Sequence, residues 1–186
     1  MEELFCPICG AKINEKNYNI NKFAFEDYNV NDMIKFCPIC GVTREYLKEE
    51  YYIYTTKEEE LDENTLKILD HAMKLETFNG DFYKKASFLV KDKKISKIFS
   101  DLANIENSHA NVHKRLAHIK EIPKLKDMDY TKYKEDEIFL DMASKREKHA
   151  VAYYNKYIRE IKIDSVKKVF KALAKVEEDH IDILDK

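Results

Sequence analysis

The sequence holds no tryptophan and only three glycines and three prolines in 186 residues. So few chain breakers exclude a fold of many short strands and tight turns, and long helices become the expected class. No run approaches eighteen apolar residues, which excludes a helical membrane span. The first residues, MEELFCPICG, lack the basic and apolar regions of a secretory signal. An excess of one charge is missing as well. With 33 Lys and Arg against 35 Asp and Glu, interspersed, the net charge is −2, so no basic field exists to draw in nucleic acid or an anionic membrane. Cysteine is confined to two Cys-x-x-Cys pairs, which in a reducing compartment points to a metal site rather than to disulfides. A cytoplasmic protein without nucleic-acid or membrane partners is expected.

What is present is a balance of 37% charged and 44% hydrophobic residues, which suits amphipathic helices around one core. Residues 5–10 and 36–41 are the same hexapeptide, FCPICG. Cys6, Cys9, Cys37 and Cys40 therefore form two identical knuckles able to complete a tetrahedral four-thiolate site, with Gly10 and Gly41 freeing the backbone at each turn. Such a site accepts iron or zinc. A module of about fifty residues has a marginal core of its own, so its metal should supply much of the folding energy. YYIYTT, residues 51–56, has the aromatic and β-branched character of a strand closing this module's sheet or, alternatively, of an exposed interface strip. The acid-rich stretch 48–63 reads as a solvated linker, with a domain boundary at about residue 57.

The second part of the chain repeats itself. Glu106-Asn-Ser-His109 and Glu177-Glu-Asp-His180 are both Glu-x-x-His, each preceded by a glutamate about thirty residues upstream, Glu76 and Glu147. All three correspondences share one offset (147 − 76 = 177 − 106 = 180 − 109 = 71), as do identical pairs such as Leu69/Leu140, Tyr83/Tyr154, Phe99/Phe170 and Leu102/Leu173. A duplicated helical hairpin about a pseudo-twofold axis is the simplest account. Helices are expected at about 62–89, 93–119, 134–162 and from an N-cap at Asp164 to Leu184, with residues 120–133 as a long crossover. On a helix, residues three apart share a face, and the neighbours Phe99, Leu102, Ala103, Phe170, Leu173 and Ala174 make that face the core face. Four carboxylates and two imidazoles directed into an apolar interior call for compensation by a pair of divalent metal ions. Gly80 should permit close helix packing or leave room beside Glu76. Tyr83 and Tyr154 could hydrogen-bond the site or simply pack in the core. His113 falls near the metal face, while His71, His118 and His149 fall off it.

This constellation resembles the ferritin-like di-iron carboxylate bundles, and LETFNGDFYKKAS and REKHAVAYYNKY are similar to the rubrerythrin branch. The passage FEDYNVNDMIKFCPICG, with Phe25, Glu26 and Asp27, resembles the second half of rubredoxin, although the Gly- and Pro-rich middle and a tryptophan before the second knuckle are absent. The resemblance implies a reverse rubrerythrin-like chain that is mostly α: a rubredoxin-like or zinc-ribbon β module over residues 1–56, then a ferritin-like four-helix bundle over 57–186. It implies Glu76, Glu106, His109, Glu147, Glu177 and His180 as ligands of two iron ions and as the catalytic residues, with iron, or alternatively zinc, on the four cysteines. The implied activity is peroxide reduction by electrons passing from an external reductase through the thiolate iron to the di-iron site. The implied assembly is a homodimer in which one chain's module approaches the other's bundle. Rubrerythrins carry a further Glu three residues after the helix-three Glu; here Ala150 stands there, and Asn79 at the matching place in helix one. That departure keeps open a ferroxidase or oxygen-reducing activity, or a non-catalytic protein with a structural zinc ribbon.

Overall fold

The computed structural model describes residues 3–185. Four helices carry most of them: α1 (Glu63–Leu89), α2 (Lys93–Leu116), α3 (Asp136–Tyr157) and α4 (Asp164–Leu184). Each starts where a polar side chain or an acid can serve the free amides. Asp62 accepts from the Thr65 amide at 2.7 Å, and Asp92 accepts from those of Lys94 and Ile95 at 2.6 and 3.0 Å. Asp164 is not the N-cap of α4; Ile163 holds that place, and Asp164 lies in the first turn, where its charge suits the helix dipole. Helices α2 and α3 are shorter than their sequence pattern suggests. Helix α2 stops because His118 takes a left-handed backbone (φ 54°) while its ring binds the Thr56 carbonyl and hydroxyl.

Helices α1 and α2 pack as one hairpin and α3 and α4 as a second, with α1 meeting α3 across the bundle. Gly80 lets the first hairpin close. A Cβ there would lie 3.2 Å from the Asn107 amide oxygen and 3.4 Å from Glu106 Cβ. Residues 117–135 cross from one hairpin to the other without helix or strand. This crossover is tied down by buried Tyr130, which stacks edge-on against Phe82 and accepts from Arg146 at 3.0 Å. The helix-three side then receives the α1–α2 turn, because Asp136 accepts the Lys91 and Asp92 amides, both at 2.8 Å. No helix among the described residues is long and apolar enough to cross a membrane.

The amino-terminal module has a two-stranded antiparallel sheet, β1 (Leu4–Phe5) and β2 (Lys12–Ile13), with Leu4 opposite Ile13. Residues 51–56 are not a strand of it. The sheet's free edge at Phe5 is paired by Lys48 instead, and 51–56 runs as an extended strap: the Tyr54 amide donates to the Pro7 carbonyl at 2.9 Å, and the Thr56 hydroxyl to that of Leu116 at 2.7 Å. Buried Asn29 organises the rest, its amide group donating to the Tyr18 and Phe36 carbonyls and accepting from the Lys35 amide. Phe25 stacks on Phe36 at 3.8 Å, and Asp27 pairs with Lys35. The module lies on its own bundle. The Phe23 amide donates to Asp101, Asn104 to Asn21, and Arg115 to the Ile8 carbonyl, and Gly41 sits against Val176 of α4.

Candidate metal centres

Two side-chain clusters dominate the chemistry. The first is built by the two knuckles, which fold alike because they share a sequence. In one, the Cys6 amide donates to the Ala11 carbonyl at 2.9 Å and the Gly10 amide to that of Cys6 at 2.8 Å. In the other, Cys37 to Val42 and Gly41 to Cys37 measure 2.8 and 2.9 Å. Both turns need a left-handed residue, supplied by Gly10 at φ 83° and Gly41 at φ 79°. The result brings Cys6, Cys9, Cys37 and Cys40 together, with Cys6 Sγ 3.6 Å from Cys40 Sγ and Cys9 Sγ 3.7 Å from Cys37 Sγ. No disulfide joins them. Four sulfurs bound tetrahedrally at ~2.3 Å would lie roughly 3.8 Å apart, so the cage has the size a four-thiolate metal requires. Hydrogen bonds from Cys37, Cys40 and Cys9 hold the Cys6 thiol well below its ordinary range, while burial pushes Cys37 and Cys40 well above theirs. A cation is what would let all four ionise.

The second cluster is the bundle's interior. Glu76 from α1, Glu106 and His109 from α2, Glu147 from α3, and Glu177 and His180 from α4 are all at most 1% exposed. All six sequence-predicted residues meet there. Two overlapping sets could each hold an ion: Glu76, Glu106, His109 and Glu177, and Glu106, Glu147, Glu177 and His180, with the donor atoms of each set within 4.8 Å of one another. Glu106 and Glu177 belong to both. Two ions would therefore share the glutamates of the Glu-x-x-His pairs. Glu76 and Glu147 each belong to one set only and would be the terminal carboxylates.

The lone pairs face a common space rather than each other. His109 Nδ1 lies 3.0 Å from Glu177 and 3.7 Å from Glu106, and His180 Nδ1 lies 3.0 Å from Glu177 and 3.3 Å from Glu106. Yet His109 Nδ1, His180 Nδ1, both oxygens of Glu106 and of Glu177, and one oxygen each of Glu76 and Glu147 make no hydrogen bond. Eight orphaned buried atoms aimed inward are what two divalent ions would satisfy. Without metal, protons balance the charge. Burial, with Glu177 and Glu106 nearby, raises Glu76 well above the carboxylate range, and burial with Glu106 and Glu177 does the same to Glu147. Burial also opposes ionisation of Glu106, but the His109 and His180 imidazoles beside it together outweigh it and hold its carboxyl down. Burial and the repulsion of Glu106 oppose ionisation of Glu177 too, but His109 and His180 together outweigh them and hold its carboxyl down. Those carboxylates overcome the burial of the imidazoles, raising His109 well above its usual value and His180 to about 10.

The terminal carboxylates are held by tyrosines in a crossed pattern: Tyr83 of the first hairpin donates to Glu147 of the second, and Tyr154 of the second to Glu76 of the first. These are the hydrogen bonds that sequence spacing allowed as one of two readings. His113 is fully buried and its Nε2 lies 2.7 Å from the Tyr154 hydroxyl, while burial lowers its pKa to about 3. His71 and His149 are exposed, and exposed His118 caps the chain at Thr56.

A family model described as a ferritin-like domain matches residues 40–186, most of the chain. The chain belongs to the ferritin-like domain family. No curated protein and no solved structure matches it significantly. The ferritin-like bundle here has one contact that no sequence pattern announces, since one of its partners is a backbone atom. His109 Nε2 lies 2.9 Å from the carbonyl oxygen of Cys40, so a candidate ligand of the bundle is bonded to a residue of the thiol cluster within the same chain. Arg115, half-buried, donates to the Ile8 carbonyl one residue before Cys9 and places a cation beside the sulfurs.

Proposed function

We propose that this protein is a non-haem di-iron oxidoreductase, a rubrerythrin-like peroxide reductase in which electrons enter at the four-cysteine module and leave at the bundle. The observation that carries the reading is the His109–Cys40 hydrogen bond. Glu76, Glu106, His109, Glu147, Glu177 and His180 would hold two iron ions, and Cys6, Cys9, Cys37 and Cys40 a third, with zinc the alternative there. When bound, a ferrous pair supplies two electrons to an oxidant at one place, and thiolate-held iron supplies them singly.

The chain's own groups prepare that chemistry. Donation from His109 Nε2 to the Cys40 carbonyl fixes the tautomer and leaves Nδ1 facing the carboxylates. The same residue contributes Sγ to the cage, so a few covalent bonds, one hydrogen bond and one imidazole connect the two centres. Conversion of hydrogen peroxide to two waters takes up two electrons and two protons. The Tyr83 and Tyr154 hydroxyls are the buried proton donors at the terminal carboxylates, and Tyr154 is backed by His113. Burial of all six side chains keeps bulk water away from them.

A second reading is favoured by Asn79 and Ala150, which leave the site with six ligands and near symmetry. It is a ferroxidase or oxygen-reducing centre, or a metal-binding protein with a structural zinc ribbon. Metal analysis and rapid mixing separate the two. The first reading expects three irons per chain, thiolate-to-iron absorption, and faster reoxidation of the reduced protein by peroxide than by oxygen, coupled to NAD(P)H through an added reductase. Zinc in the module, or reoxidation by oxygen alone, sinks it. A homodimer belongs to the same proposal, although within one chain the module already reaches a bundle.

A further inference from the structure

The duplication makes any departure from symmetry conspicuous, and two departures fall on the same side. The back of His109 is fixed, since its Nε2 donates to the Cys40 carbonyl at 2.9 Å. The back of His180, its counterpart at the 71-residue offset, has no hydrogen-bond partner for Nε2 among the described residues. His180 borders a cleft of about 180 Å³ whose lining includes Phe25, Phe36 and Val176 together with Asp179 and Asp182. The terminal carboxylates differ in the same direction. Glu76 is held by Tyr154, whose hydroxyl is itself bonded to His113 at 2.7 Å. Glu147 is held by Tyr83, and the residue matching His113 in the second hairpin is Leu184, which cannot hydrogen-bond.

We infer that the two metal positions are unequal: the one formed by Glu76 and His109 with the shared Glu106 and Glu177 fills first and holds its divalent ion more tightly than the one formed by Glu147 and His180. A ligand whose far side is hydrogen-bonded is already oriented, loses less freedom on binding and is a better donor. Both private ligands of the first position have that support. At the second position the imidazole borders open space and can turn away as its ion leaves. The protein thus keeps one resident ion and one exchangeable ion. This rests on the two-metal reading of the bundle.

The test is anaerobic calorimetric titration with cobalt(II), using full-length protein that retains its module metal and whose bundle has been emptied by a chelator. Two steps of one equivalent each are expected, with affinities about 10–100-fold apart. H180A should keep the tight step and lose the weak one, H109A should lose the tight step, and H113L should narrow the gap. A single step of two equal equivalents, or an H109A protein that keeps the tight step, overturns the inference while leaving the two-metal reading intact. An emptied bundle that takes up no cobalt overturns both.

Discussion

His109 Nε2 and the Cys40 carbonyl oxygen are 2.9 Å apart, and this bond depends on how closely the second knuckle can approach α4. Gly41 sets that approach. A Cβ there would lie 2.6 Å from Val176 Cγ1, and φ is +79°. G41A should therefore cost more than the ~1–2 kcal/mol of a left-handed residue alone. G10A is the control. Its Cβ would meet Ile53 Cδ1 at 2.7 Å, the far end of a side chain that can swing, whereas Val176 is β-branched on a helix and stiff. Denaturant melts should place G41A below G10A, and only G41A should slow electron delivery from module to bundle.

Y83F and Y154F each leave a buried carboxyl short of a donor, so each should destabilise the metal-free protein by about 1–3 kcal/mol. Y154F should be the worse, because it also strips His113 of its partner. Urea unfolding of the two variants in parallel checks the order.

The metal-free protein should lose stability as the solution becomes alkaline. The folded-state pKa of His180 is raised to about 10 and that of His109 also lies above its ordinary value, so their stabilisation is complete below about pH 6.5 and disappears as pH rises through about 10. Glu76 and Glu147 act in the same direction, being protonated in the fold and costly to ionise. Glu106 and Glu177 are depressed, and their contribution fails at the acidic end instead. Melting temperatures measured with chelator present should fall between pH 6.5 and pH 10.

Metal uptake should release protons in a definite number. In the empty site the raised pKa values of both imidazoles and of Glu76 and Glu147 favour one proton on each, which makes 2 + 2 = 4. Two divalent ions would replace them with no change in the charge of the interior. A dye-monitored titration in weak buffer should record about four protons for two ions, and affinity should fall as pH falls.

The buried cluster of acids and imidazoles was legible because its spacing repeats: an interior Glu-x-x-His is ambiguous once, and informative when Glu76, Glu106 and His109 recur 71 residues later. Helix positions followed from apolar spacing and the scarcity of glycine and proline, although the cap assigned to Asp164 falls on Ile163. Of the two readings of 51–56 the strand fails, because its aromatics resemble strand residues while its partners, the Pro7 and Leu116 carbonyls, are backbone atoms of no particular sequence. The same blindness hid the Cys40 contact. His113 was visible as a residue near the metal face, but its bond to Tyr154 depends on a helix packing that periodicity does not give. Which glutamates fall in both candidate sets depends on how the hairpins face each other, and local spacing cannot supply that.

The crossed tyrosines also bear on whether either half could stand alone. Since Tyr83 completes the centre on the opposite hairpin and Tyr154 does so in return, an isolated α1–α2 unit owns three donors and the hydroxyl meant for somebody else's carboxylate. Such a unit could assemble the same chamber only by pairing with a twin, so the two halves are linked subunits of an internal dimer, and severing the 117–135 connector tests whether they still find each other.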